Sequence, residues 1–328
     1  MNTLKIFNGT SNVELASGIA SNLSIGLGKI YHHNFPSGES YCQFKENIRG
    51  ADVFLIQSIS SPANENLMQL LVMSDAARRA SAERITAVVP YFGYARQDRK
   101  DKSRVPISAK LVLDLMEAAG IDRVITMDLH SPQVGGFTNL PFDHLSFEPI
   151  LINYIKTKYH SLALRDRVII MAPDVGALKR VEKYASQLKC DFGFISKKRI
   201  GDEQVELQSL SGDVKDKYVI IIDDLTESAG TLIQAASACK KNGAKHVICA
   251  VTHGCFSETA MTRLSEALPH PDIRPIGVID EFIHSNTVDI HWTLKYKPDG
   301  IKCLDVSDIF AKAIQRTHNN ESVSELFV

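Results

Sequence analysis

Along the chain, short apolar runs alternate with longer stretches of helical period, and this alternation restricts the fold more than any other feature. In the first half, residues 52–57, 85–89 and 124–127 are apolar enough to be strands buried on both faces. Residues 66–79 and 106–119, which separate them, carry the helical pattern. The second half repeats the arrangement, with strands at 168–172, 192–196, 218–222 and 247–251 and helices at 176–188 and 230–241. Asn242-Gly243 ends the last of these as a helix C-terminus requires. Strand, helix and strand in succession need a crossover, so mostly parallel sheets flanked by helices are predicted, an α/β fold. At 328 residues the chain exceeds one ordinary core, and two tandem domains are expected, 1–149 and 150–304. Residues 301–306 read as a further strand, followed by a helix from Ser307 to about Arg316. The closing segment can pack back onto either half, and 305–328 completing the first domain is one of the two arrangements.

Composition removes several classes of function. The hydrophobic content of 44% and charged content of 23% are those of a globular protein. A formal net charge of −1 argues against a broad grip on nucleic acid or on an anionic membrane. No apolar run approaches the roughly 20 residues of a membrane helix. Residues 1–9 lack the basic-then-apolar pattern of a signal peptide. The six cysteines, Cys42, Cys190, Cys239, Cys249, Cys255 and Cys303, show no metal-ligand spacing and predict buried free thiols in a reducing cytoplasm.

Ligands of parallel sheets gather at the carboxyl ends of the strands. Past Ile222 the chain reads Asp223-Asp224-Leu225-Thr226-Glu227-Ser228-Ala229-Gly230-Thr231 and enters a helix. Small residues there let backbone N–H groups point at an anion, helped by the helix dipole, while Ser228 and Thr231 add hydroxyls. Asp223 and Asp224 suit sugar hydroxyls or a magnesium ion better than a phosphate. The plainer reading is an acidic helix N-cap. Past Val89 runs a long polar loop, rich in Arg and Lys from Arg96 to Arg104, behind Tyr91, Phe92 and Tyr94. It is either an anion clamp or a solvated loop. Past Met127 come Asp128 and His130, and past Ala172 comes Asp174. Lys197-Lys198-Arg199 stands at the root of the polar stretch 201–204, placed to close over a charged transition state unless it is plain surface. Together these point to phosphoryl-type transfer with magnesium in a crevice between two α/β units.

The 223–231 loop resembles the phosphoribosyl-diphosphate loop of the phosphoribosyltransferase superfamily. Beyond it, almost the whole chain is similar to the ribose-phosphate diphosphokinases. The motifs are Tyr94-Ala95-Arg96-Gln97-Asp98, Asp101-Lys102-Ser103-Arg104, Pro106-Ile107-Ser108-Ala109-Lys110, Met127-Asp128-Leu129-His130, Ala172-Pro173-Asp174, Ser211-Gly212-Asp213-Val214-Lys215-Asp216, Thr252-His253-Gly254, Arg316-Thr317-His318-Asn319 and Glu321-Ser322-Val323-Ser324. The resemblance implies two tandem phosphoribosyltransferase-like domains and transfer of the β,γ-diphosphate of ATP to the C1 hydroxyl of ribose 5-phosphate, with Mg2+. Phe35, Ser37 and Glu39 then match an adenine-holding segment lent by a neighbouring subunit, which implies a homo-oligomer built on dimers, with a hexamer as one form. Arg96, Gln97, Asp101 and His130 match ATP contacts, and Asp128, His130, Asp143 and Asp174 match metal positions. Asp223 and Asp224 match the ribose-hydroxyl pair, and Glu227, Ser228, Ala229, Gly230 and Thr231 the 5-phosphate cradle. Asp174 and Arg199 also match sugar-phosphate contacts, and Lys197 with Arg199 the catalytic pair. Arg49, Ser81, Ser103, Arg104, Ser322, Ser324 and Phe327 match a regulatory site for phosphate or ADP.

The chain departs from the family pattern in places. Glu227-Ser228 stands for a usual Asp-Thr, which implies altered sugar affinity. Ser37 stands for Asp or Asn, which bears on the choice of base. Gly135 stands for a usual Gln near the regulatory site. Residues 268–298 match poorly and are expected to be a surface loop. A regulatory homologue of weak activity, co-assembling with an active synthetase, is the competing reading; the presence of Lys197, Arg199, His130 and Asp174 weighs against it.

Overall fold

The computed structural model describes residues 2–159, 164–199, 205–270, 276–290 and 299–327, with the backbone alone at 164, 165, 197–199, 205–208 and 327. The chain forms two compact units, Met1–Phe147 with Thr287–Asp289 and Asp305–Val328, and Glu148–Asn286 with Ile290–Leu304.

The first unit contains β1 (Leu4–Asn8), α1 (Val13–Asn22), a hairpin of β2 (Ile30–Asn34) and β3 (Ser40–Phe44), β4 (Asp52–Ile56), α2 (Ala63–Arg79), β5 (Arg84–Val89), α3 (Ser108–Ala118), β6 (Arg123–Met127) and β7 (Phe142–Leu145). Its sheet runs β1-β4-β5-β6-β7, with every neighbouring pair parallel. β4 is buried along its whole length, and β5 and β6 all but their first residues, because helices cover both faces.

The second unit contains α4 (Glu148–Lys158), α5 (Leu164–Arg167), β8 (Val168–Ala172), α6 (Leu178–Leu188), β9 (Asp191–Arg199), β10 (Val205–Ser211), β11 (Tyr218–Thr226), α7 (Gly230–Lys241), β12 (His246–Gly254), α8 (Glu258–Ala267), β13 (Glu281–Ser285) and β14 (Ile301–Leu304). Its sheet order is β10-β9-β8-β11-β12-β13-β14, parallel except for the β9–β10 hairpin. The chain winds outward from β8 to β9, returns, and winds the other way from β11, so the order reverses between β8 and β11. Helix α9 (Ser307–Asn319) then rejoins the first unit.

Every strand and helix expected from periodicity is present. The main shift is at strand ends: β11 runs on to Thr226 and β12 to Gly254, past the apolar stretches that mark their cores. Residues 268–298 are not simply a surface loop. They contain β13, five buried residues paired to β12 and β14. Its Glu281 and His284 disguise it as polar sequence. Glu281, only 5% exposed, accepts from Tyr154 Oη (2.5 Å), Tyr159 Oη (2.7 Å) and Lys158 Nζ (2.6 Å). His284 Nδ1 meets the Ser285 carbonyl at 2.8 Å. Residues 271–275 and 291–298 of this segment, like 201–204, lie outside the described residues.

Helix α9 packs on α1 at close range. Asn22 Nδ2 donates to Ser307 Oγ at 2.9 Å, and a Cβ at Gly18 would come within 2.9 Å of the Ser307 side chain. At the sheet's amino edge the buried Asp52 accepts from Arg84 Nε at 2.8 Å and Nη2 at 2.5 Å. His318 Nδ1 lies 2.7 Å from the same carboxylate, and Arg84 also donates to the Thr317 carbonyl at 3.0 Å. One carboxylate thus ties α9 to β4 and β5.

Glu281 does the equivalent work in the second unit. Burial alone would raise its carboxyl, but donation from Lys158, Tyr154 and Tyr159 outweighs that and holds it below the ordinary carboxylate range. A depressed folded-state value contributes stability above the unfolded value near pH 4 and loses it as pH falls through the folded one. Glu281→Gln is therefore expected to destabilise the second unit by about 3 kcal/mol at neutral pH. The gap from the unsubstituted chain should narrow below about pH 4, as read by denaturant unfolding at several pH values.

Candidate active site

In an open parallel sheet the crevice outside the carboxyl ends opens where strand order reverses. In the second unit that place lies between β8 and β11, and it collects the acidic residues. Asp223 and Asp224 are consecutive residues near the end of β11, with Asp224 5% exposed. Arg180, in the first turn of α6, reaches both: its Nη1 lies 3.2 Å from Asp223 Oδ1 and 3.4 Å from Asp224 Oδ1. Burial first, and then the neighbouring Asp224 charge, push the Asp223 carboxyl well above its ordinary value, against the pull of Arg180. Sequence reasoning missed Arg180. It stands six residues past Asp174 inside a helical pattern, and only the parallel pairing of β8 with β11 brings it there.

Beyond the pair the chain turns sharply into α7. Ala229 takes a left-handed conformation (φ 57°) and is buried, and no side chain caps the helix. The turn is held through the backbone groups of residues 227 and 229: Ala229 N donates to the Thr226 hydroxyl (3.1 Å), and the Glu227 carbonyl accepts from Ser257 N (2.9 Å) and Oγ (3.0 Å). A Cβ at Gly230 would lie 3.2 Å from Arg263 Nη1, so a glycine keeps the helix entry open. Thr231 follows in the first turn, beside Ser228. The entry of α7 thus lacks a side-chain cap, while the Ala229 amide is already engaged by Thr226.

Asp174 leaves β8 and caps a short 3-10 turn, Val175–Ala177, accepting from Gly176 N (2.8 Å) and Ala177 N (3.2 Å) through Oδ1. It is exposed. Lys197 and Arg199 occupy the carboxyl end of β9, beside β8, and Lys197 pairs with Leu207 and Arg199 with Val205 across the hairpin. They belong to the strand rather than to a loop following it; their side chains lie outside the described residues.

In the first unit the carboxyl ends of β5 and β6 are neighbours. The loop after β5 is tied to the exit of β6 through Asp98, which accepts from Ser131 Oγ and, at 2.8 Å, from Gln133 Nε2. The Ser131 bond, more than Gln133, holds the Asp98 carboxyl below its ordinary value against partial burial. Gln97 accepts from Ser108 Oγ at 2.5 Å and so anchors the start of α3, while Arg96, Asp101, Ser103 and Arg104 are exposed along the loop. Asp128 sits at φ 35°, a strained value at the strand exit, and accepts from Phe147 N at 3.3 Å. His130 is exposed two residues on. Asp143 stands two residues inside β7, where Arg123 Nη1 engages it at 2.5 Å. Among the described residues, no group of three or more His, Cys, Asp or Glu side chains forms a ready metal cage.

Phe35, Ser37 and Glu39 form the tip of the β2–β3 hairpin. Phe35 is 46% exposed and in edge contact with His33 and Tyr41, and Ser37 Oγ donates to Glu39 Oε2 at 2.8 Å. Arg49 and Ser81 are brought close by the Gly50 N to Ser81 O bond of 2.8 Å. Ser322 precedes the C-terminal turn Val323–Phe327 and Ser324 lies within it, and the Ser322 carbonyl accepts from Arg316 Nη1 at 2.6 Å; the Phe327 side chain lies outside the described residues. At Gly135 a Cβ would come 3.3 Å from the Phe142 ring, so the usual glutamine would need that ring to shift.

Comparison with known proteins agrees with this architecture. Residues 4–120 match the N-terminal domain of ribose phosphate pyrophosphokinase, and residues 198–328 match the phosphoribosyl synthetase-associated domain. The ribose-phosphate pyrophosphokinase of Clostridium perfringens is 46% identical over 99% of this chain and 97% of its own length. That of Campylobacter jejuni is 43% identical over the whole of both chains. The crystal structure of phosphoribosylpyrophosphate synthetase from Mycobacterium smegmatis superposes with a TM-score of 0.86 at 35% identity, covering 97% of this chain and 100% of that one. Similarity of this degree along the entire length establishes that the chain belongs to the ribose-phosphate pyrophosphokinase family.

Proposed function

We propose that this chain binds ATP and ribose 5-phosphate and, with magnesium, moves the β,γ-diphosphate of ATP to the C1 hydroxyl of the sugar. The products are phosphoribosyl diphosphate and AMP. The observation that carries the reading is the meeting of the acidic pair Asp223–Asp224 with the uncapped entry of α7 where the strand order reverses. The carboxylates suit the sugar's vicinal hydroxyls, and the uncapped turn from Glu227 to Thr231 suits its 5-phosphate.

In the transfer the C1 oxygen forms a bond to the β-phosphorus as the bond from that phosphorus to the oxygen of AMP breaks, in line. No covalent enzyme intermediate is needed. Lys197, Arg199 and Arg96 stabilise charge on the transferred group and its leaving oxygen. Gln97 and Asp101 face the nucleotide, and the tip Phe35-Pro36-Ser37-Gly38-Glu39 serves the adenine of a neighbouring subunit, which makes the working form a homo-oligomer. Exposure of Phe35 on a rigid hairpin supports that assignment. The regulatory cluster of Arg49, Ser81, Ser103, Arg104, Ser322, Ser324 and Phe327 suits phosphate or ADP, and the enzyme would act in the cytoplasm.

Magnesium, when bound, neutralises phosphate charge and orients the diphosphate. Asp128 and His130 in the first unit, and Asp174 in the second, are the residues that would each offer it a ligand. Asp174 spends one oxygen on its turn, and a hard cation that keeps several waters needs no closed cage. Asp143 fits less well, because Arg123 already engages it.

The direct test is formation of AMP and phosphoribosyl diphosphate from ATP, ribose 5-phosphate and Mg2+. Binding of both substrates without turnover would leave the regulatory homologue instead. Lys197→Ala is expected to lower kcat by a factor of about 100 or more while the ATP Kd moves by less than about threefold. Equal losses in both would remove Lys197 from the chemistry. Phe35→Ala should raise KM for ATP roughly tenfold and leave that for ribose 5-phosphate unchanged. Steady-state kinetics with each substrate varied in turn distinguishes these outcomes.

A further inference from the structure

We propose that Arg180 is a positioning residue that aligns the Asp223–Asp224 pair and supplies its counter-charge so that the pair accepts the hydroxyls of the sugar. This rests on reading the pair as the ribose site. Consecutive strand residues ordinarily send their side chains to opposite faces. Here one guanidinium nitrogen lies 3.2 Å from one carboxylate and 3.4 Å from the other, so a single cation spans both. It comes from α6, packed beside the strand, and it is half-buried.

Two carboxylates this close and this buried repel each other and favour taking up a proton. A protonated carboxyl donates through that oxygen and no longer accepts there, which would spoil it for a hydroxyl donor. Burial and Asp224 push Asp223 up to about 8 even with Arg180 opposing them, so the guanidinium limits the tendency to take up a proton without abolishing it. The contact is loose: charge-assisted pairs in firm contact sit nearer 2.7–2.9 Å. A guanidinium at 3.2–3.4 Å supplies its field while sharing the carboxylate oxygens with incoming hydroxyls. That balance suits a site whose acceptors are aligned before the sugar arrives and engaged by it afterwards.

Two other roles make different demands. A guanidinium serving the phosphates would matter equally for any sugar phosphate. A purely architectural arginine would matter for folding and for all ligands alike. The distinguishing measurement is calorimetric binding of ribose 5-phosphate and of 2-deoxyribose 5-phosphate, which lacks one hydroxyl, to the full chain and to Arg180→Ala, Arg180→Gln and Arg180→Lys. Arg180→Ala is expected to weaken ribose 5-phosphate about tenfold or more and the deoxy sugar by less than about threefold, with most of the loss recovered in Arg180→Lys. Arg180→Gln, close in shape but uncharged, should behave as the alanine does, and it carries the test if the alanine variant does not fold. Equal penalties on both sugars, or none on ribose 5-phosphate, overturn the role of Arg180 while the site reading stands. Failure of the unsubstituted chain to bind either sugar phosphate overturns the site reading, and this inference with it.

Discussion

Parallel strand pairing is the constraint from which the rest follows. When neighbouring strands all point one way, their carboxyl ends share one edge, and the crossover helices must lie on the faces. Strands covered on both faces carry few polar side chains through their middles, so the reactive residues gather at the ends. In the second unit the order reversal between β8 and β11 places the helices that follow these two strands on opposite faces, and the edge between them is left uncovered. Asp174, Asp223 and Asp224 come to that edge from strands otherwise adjacent and apolar.

The two edges of each sheet treat charge differently. At the amino edge of the first unit Asp52 is held by Arg84 and His318 at 2.5–2.8 Å; at that of the second, Glu281 is held by three donors at 2.5–2.7 Å. These carboxylates are saturated and act as clasps. At the carboxyl edge Asp223 and Asp224 share one guanidinium at 3.2–3.4 Å, and Asp174 caps its turn with one oxygen. Like charges set side by side cost stability, and the amino edge and the apolar middle offset that cost.

The central strands of both sheets, the helices between them and the acidic ends of those strands were legible in the sequence because buried parallel strands are continuous apolar runs, whereas the edge strands β1 and β7 were not. β13 was not, since its polar residues are satisfied by partners as distant in the chain as Tyr154 and Tyr159. The β2–β3 hairpin and β10 were missed for the opposite reason: β2, β3 and β10 hold too many polar residues to read as core. Arg180 has no local signature, for its role depends on which strand lies beside β8. Asp98 was quoted as part of a motif, and only the geometry reveals that it fastens one loop to another through Ser131 and Gln133.

The same distinction between backbone and side chain explains how the 223–231 loop departs from its family without losing its form. Its shape depends on the left-handed Ala229, on Thr226 as local acceptor, and on the Glu227 carbonyl held twice by Ser257. The Ser228 carbonyl is reached by Arg263 at 3.4 Å. None of these contacts uses the side chain of Glu227 or Ser228. Exchanging Asp for Glu or Thr for Ser at these positions changes what the turn presents to a ligand by a methylene or a methyl, while the amides stay where the backbone puts them. Such a loop retains its anion geometry and retunes its sugar contacts, and that is the least disruptive place for variation in a site whose frame is set by parallel pairing.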